Sequence, residues 1–159
     1  MAGGKTGALI AAAAEVGAYL GNANGDVQKA MKSFGMNVGI AFQIQDDVLN
    51  LVGEEEKYKK EIGGDITEGK RTLAVLHAMA KLGKNDAQEL KRIIDSKSSD
   101  QKQILKAIEL MNRSGSIEYA KSKAKELVVK AKEELKKLPR NASAEKLNML
   151  SDFLIEREY

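Results

Sequence analysis

AFQIQDDVLNLV, residues 41–52, sets two adjacent aspartates among core-type residues such as Phe42, Ile44, Val48, Leu49 and Leu51. Gln43, Asp46, Asp47 and Asn50 are separated by three or four residues, apart from the adjacent aspartates. On a helix this spacing puts them on one polar strip. Carboxylates and amide carbonyls among core-type residues are costly to bury unless they meet a cation or hydrogen-bond donors. Such hard oxygen donors suit Mg²⁺.

Upstream, Met31, Phe34, Val38, Phe42 and Leu49 return to one helical face, which predicts a helix from about Val27 to Leu51 with Asp26 as its N-cap. A first helix is expected from Thr6 to Leu20, ended by GNANGD at Gly21 to Asp26. Its opening GGKTG resembles a phosphate-binding loop only superficially, because neither the GxxxxGK[ST] spacing nor a preceding strand is present. Lys5 and Thr6 nevertheless stand at a helix N-terminus, where free amides and the dipole favour an anion.

Downstream, VGEEEKYKKEIGGDITEGKR from Val52 to Arg71 is charged, glycine-containing and too long for an idle connection. Lys60, Asp65, Lys70 and Arg71 cluster there around Gly63, Gly64 and Gly69. Glycines allow close backbone approach and lysines bring mobile positive charge to phosphate oxygens. Further helices are expected at Thr72 to Leu82, Asp86 to Asp95, Ser99 to Asn112, Ser116 to Leu138 and Ser143 to Glu156, with Ser, Asp or Asn near several starts.

Composition agrees with an all-α chain: 159 residues that are 43% hydrophobic, 4% aromatic and contain one proline suit helices better than a sheet. The net charge of +3 is too small to suggest nucleic acid, and the absence of cysteine excludes disulfides and thiolate metal sites. A chain without cysteine is compatible with a reducing compartment, so a cytoplasmic protein is the default expectation, and ALIAAAAEVGAYL, from Ala8 to Leu20, is interrupted by Glu15 and too short to span a bilayer. His77, in LAVLHAMA, has no evident carboxylate or serine partner and is expected in core packing or a buried hydrogen bond. The lysine-rich stretch from Lys121 to Lys137, with Glu118, Glu126, Glu133 and Glu134, is expected to be a solvated face carrying i,i+4 pairs.

KTGALI, FQIQDDVLNLVG and GGDITEGKRT, in this order, resemble the trans-isoprenyl diphosphate synthase family, of the geranylgeranyl and farnesyl type. FQIQDDVLN is similar to the second aspartate-rich motif of that family, with Asn50 where Asp is commoner, a change that weakens this position as a metal ligand. The resemblance implies a helical bundle of the isoprenoid synthase type. It implies that Asp46 and Asp47 bind Mg²⁺, and that Lys5, Thr6, Gln43, Lys60 and Lys70 contact an allylic diphosphate. Lys5, Asp46, Asp47 and Lys70 are the implied catalytic residues, and Asp65 the support of the loop. The implied reaction ionises the allylic diphosphate, and the double bond of isopentenyl diphosphate attacks the carbocation before a proton is lost.

The family's first aspartate-rich motif, DDxxD, is absent; the only DD here is Asp46-Asp47. Residues 1–159 are therefore expected to be the C-terminal half of a single all-α synthase domain, with no second domain. The chain is then a fragment that needs its N-terminal half, or a short subunit that completes its site with a partner, and a homodimer is the family's habit. The alternative from another class is a non-catalytic helical interaction or regulatory subunit of a full-length synthase.

Overall fold

The computed structural model describes residues 3–52, 62–139 and 141–156, with only the backbone described at Gly3, Lys5 and Glu156. All regular structure among these residues is helical, as expected. A π-helical turn at Gly3–Gly7 runs straight into α1 (Ala8–Leu20), followed by α2 (Gly25–Val52), α3 (Gly64–Thr67), α4 (Leu73–Lys81), α5 (Lys84–Ser96), α6 (Gln101–Arg113), α7 (Ser116–Leu135) and α8 (Ala142–Glu156).

Local capping corrects several expected boundaries. The Asn24 side chain, not that of Asp26, accepts from the Val27 amide at 3.0 Å. Asp26 lies inside the first turn of α2, where its charge opposes the positive end of the helix dipole. Thr72, Asp100 and Asn141 cap α4, α6 and α8 through their side chains. The end of α7 comes three residues before the expected Leu138, because the residue before Pro139 disfavours the α region. The lysine–glutamate pairs at 118–121, 123–126, 133–136 and 134–137 are spaced i,i+3 rather than i,i+4.

The chain divides into two compact units. One comprises the π turn, α1, α2 up to Gln45, α7 from Lys123, and α8; the other runs from Asp46 to Ser122. In the first, Phe34 and Val38 of α2 pack with Ala131 and Leu135 of α7, joined by Leu147 and Leu154 of α8. Two glycines one turn apart, Gly35 and Gly39, let α2 meet α1 and the π turn backbone to backbone. A Cβ on Gly35 would lie 2.7 Å from the Ile10 carbonyl oxygen, and one on Gly39 would lie 2.7 Å from Gly7 Cα.

In the second unit α4, α5 and α6 pack on one another, and α3 packs on α5 and α6. Leu90, Ile93 and Ile94 of α5 and Ile104, Ala107, Leu110 and Met111 of α6 form its centre, buried at the three- and four-residue spacings of amphipathic helices. His77 of α4 does have a serine partner: its Nδ1 is 2.8 Å from the fully buried Ser116 Oγ, which is 2.7 Å from Ser114 Oγ. Its ring stacks on Tyr119 at 3.9 Å. Partners 39 residues apart in the chain are invisible to a search of neighbouring sequence.

Candidate active site

In the first unit the π turn carries Lys5 and Thr6, and α2 carries Gln43. Gly35, Gly39 and Gln43 follow one another at i, i+4 and i+8, so the side that glycine leaves bare for close approach continues into a polar residue. Thr6 Oγ1 donates to Gln43 Oε1 at 2.8 Å. Two residues separated by 37 positions are thus brought together. Only the backbone of Lys5 is described, and Lys60 lies outside the described residues.

In the second unit Asp46 and Asp47 are half-buried on α2, and Asn50, one turn further on, is buried at 6% exposure. Asn50 leaves the polar strip in function. Its side-chain oxygen accepts from the Asp65 amide at 2.8 Å and its carbonyl oxygen accepts from the Gly63 amide at 2.7 Å. These bonds tie Gly63 and Asp65 to the last turn of α2, where carbonyls lack intrahelical partners.

The segment expected as an open loop instead contains α3, with Ile66 at 1% exposure and Asp65 at 9%. Four residues are too few for a helical period to show in sequence. Gly63 precedes α3 in the left-handed region at φ 82°, and a Cβ there would lie 2.3 Å from Ile104 Cγ2. Glycine is required on both counts.

Asp65 places Lys70, which donates through Nζ to Asp65 Oδ1 at 2.7 Å and to Glu68 Oε2 at 2.9 Å. The hydrogen bond to Asp65 is the main cause, and that to Glu68 the second, of a Lys70 pKa held above the ordinary lysine value. The side chain therefore stays protonated across the neutral range. An ammonium has three donors, so one remains for a phosphate oxygen, and Glu68, an exposed carboxylate, can also be displaced. Arg71, next in sequence, is engaged elsewhere: its guanidinium pairs with Asp95 and lies 3.6 Å from Met79 Sδ.

Among the described residues no group of three or more Asp, Glu, His or Cys is placed to hold a metal ion. The donor set on α2 is two adjacent carboxylates. That suits Mg²⁺, which keeps several waters and is commonly bound by one or two carboxylates together with substrate phosphates.

A family model described as polyprenyl synthetase matches residues 1–111. Over 155 residues the chain is 41% identical to a short chain isoprenyl diphosphate synthase of Methanothermobacter thermautotrophicus, covering 98% of this chain and 47% of that protein. The solved geranylgeranyl pyrophosphate synthetase of Pyrococcus horikoshii superposes with a TM-score of 0.90 at 42% identity, over 99% of this chain and 48% of that one. A polyprenyl synthase of Caulobacter crescentus, solved with calcium and isoprenyl diphosphate, superposes with a TM-score of 0.87 at 34% identity, over 95% of this chain and 46% of that one. With the helical fold and the conjunction of carboxylate helix and lysine-bearing turn already described, the chain belongs to the polyprenyl synthetase family. It spans about half the length of the curated relatives it matches. No helix among the described residues is long and apolar enough to cross a membrane.

The sequence did not single out Gly35 and Gly39, although their spacing is a recognised signal of close helix approach. Nor did it assign Asn50 to the turn that it caps, a pairing that only folding reveals.

Proposed function

We propose that the chain is the C-terminal half of an Mg²⁺-dependent prenyl diphosphate synthase, and that it binds the allylic diphosphate consumed in elongation with isopentenyl diphosphate. The observation that carries this reading is the half-buried Asp46-Asp47 pair on α2, together with a Lys70 ammonium oriented by Asp65 in the turn closed onto the same helix. The solved Caulobacter crescentus relative, with its calcium and isoprenyl diphosphate, supports a divalent cation and a diphosphate as the ligands.

Asp46 and Asp47 would hold Mg²⁺, which supplies Lewis-acid stabilisation of charge on the departing diphosphate. Lys70, kept protonated and directed by Asp65, offers a hydrogen bond to the same oxygens as the allylic C–O bond breaks. Gln43, whose carbonyl oxygen accepts from the Thr6 hydroxyl, is a further proposed contact of the diphosphate. Lys5 and Lys60 are proposed as diphosphate contacts on the family resemblance alone. The π-bond of isopentenyl diphosphate then captures the allylic cation, and proton loss regenerates a double bond. Steps that use isopentenyl diphosphate depend on residues beyond the two clusters described.

Calorimetry on the folded chain tests this reading. Inorganic pyrophosphate is expected to bind only with Mg²⁺ present. Binding should be lost in Asp46→Ala and weakened about tenfold or more in Lys70→Ala, the size expected for removing a charged hydrogen bond. A folded wild-type chain that takes up no pyrophosphate with Mg²⁺ would sink the proposal.

A further inference from the structure

α3 begins without a side-chain cap of its own. Its N-cap, Gly63, has no side chain, so an amide of the first turn needs an acceptor from elsewhere. Asn50 supplies it from 15 residues away. Its Oδ1 accepts from the Asp65 amide at 2.8 Å, the bond an N-cap Ser, Asp or Asn would make locally, while its main-chain oxygen takes the Gly63 amide at 2.7 Å. Asn50 is 6% exposed, so water is a poor substitute acceptor.

Asp65, whose amide is fixed this way, holds Lys70 twice: its carbonyl accepts from the Lys70 amide at 2.9 Å and its carboxylate from Lys70 Nζ at 2.7 Å. An uninterrupted series of hydrogen bonds therefore runs from the last turn of α2 through Asp65 to the Lys70 ammonium. Asn50 lies four residues after Asp46 and three after Asp47 on that helix.

We propose that Asn50 is a positioning residue: it caps α3 in place of Gly63 and, through Asp65, sets the Lys70 ammonium relative to the helix that carries Asp46 and Asp47. The part of this that concerns ligand affinity rests on the proposed function. The requirement at position 50 is for an acceptor of the right length, not for a metal ligand. Asp can meet that requirement and Ala cannot.

The test combines a ligand-free readout with a binding one. In NMR titrations of the full chain, Lys70 Cε should report a pKa above the ordinary lysine value of 10.5 in wild type and in Asn50→Asp, falling back towards it in Asn50→Ala. Asp65 amide exchange should quicken in Asn50→Ala alone. In calorimetry with Mg²⁺ and pyrophosphate, Asn50→Ala should weaken binding about tenfold and Asn50→Asp by less than about threefold, as loss or retention of one hydrogen bond implies. Adding Asn50→Ala to Lys70→Ala should cost less than about twofold more, because residues acting as one unit are not additive.

An unchanged Lys70 titration in Asn50→Ala overturns the proposal, as do equal losses in the Ala and Asp variants or losses that multiply in the double variant. A wild type that binds no pyrophosphate defeats the proposed function instead, and the Lys70 titration still decides the role of Asn50.

Discussion

Around Thr6 and Gln43 the chain brings polar groups together by omitting side chains, whereas around Lys70 it does so by linking buried polar groups. In the first unit Gly35 and Gly39 allow backbone to touch backbone, and the Thr6–Gln43 hydrogen bond follows from that closeness. In the second, a glycine is also needed at position 63, but placement comes from Asn50 and Asp65, both buried and hydrogen-bonded. Steric contact is unforgiving of added volume and indifferent to charge. A hydrogen-bonded series behaves the other way round, tolerating modest shape changes while failing when an acceptor is removed or a proton lost.

The largest expected effect that breaks this contrast is at Gly35. Gly35→Val forces branched carbon against the Ile10 carbonyl and the Ala11 backbone, neither of which can turn aside as a side chain can. Urea denaturation should show a loss of about 3 kcal/mol, the upper part of the usual range for overpacking. A loss below about 1 kcal/mol would mean that α1 shifts freely and that the close approach is not what positions Thr6.

Gly63→Ala should follow with a loss of about 2 kcal/mol, from the left-handed backbone and from contact with Ile104. Because alanine adds one carbon where valine adds three, and the atom met is side chain and not backbone, the cost falls below that at Gly35. The truncation Ile104→Ala in the Gly63→Ala background separates the two causes: if sterics dominate, the second change costs much less there than in wild type.

The smallest effect concerns charge. The raised Lys70 pKa contributes stability that is complete below the ordinary lysine value of 10.5 and is lost as pH rises past it towards the folded-state value. Lys70→Met should therefore differ from wild type by a constant amount between pH 6 and pH 9, a gap that closes above about pH 10.5. Urea midpoints measured across this range check it. No comparable alkaline change is expected for Thr6→Val, whose hydroxyl stays neutral there, and that difference sharpens the contrast between the units.

The sequence by itself determined the helical class and the order of the helices, and it supplied the motifs from which the candidate site is proposed. Amphipathic repeats such as Leu90, Ile93 and Ile94 state their own buried face, and QDDVLN and GGDITEGKRT are motifs because neighbouring residues carry them. It also resolved most boundaries to within a few residues, failing where the cap was displaced, as at Asn24, or where an element was one turn long, as at α3.

Tertiary structure alone decided who meets whom. The Thr6–Gln43, His77–Ser116 and Asn50–Asp65 bonds join residues 37, 39 and 15 positions apart, and nothing in local periodicity encodes such pairings. It likewise distinguished Lys70, oriented by Asp65, from its neighbour Arg71, committed to Asp95, though the sequence grouped both as basic loop residues. The physical reason is that helix propensity and capping act over a turn or two. The partner of a buried polar group is settled by whichever distant donor or acceptor the packed core brings within about 3 Å.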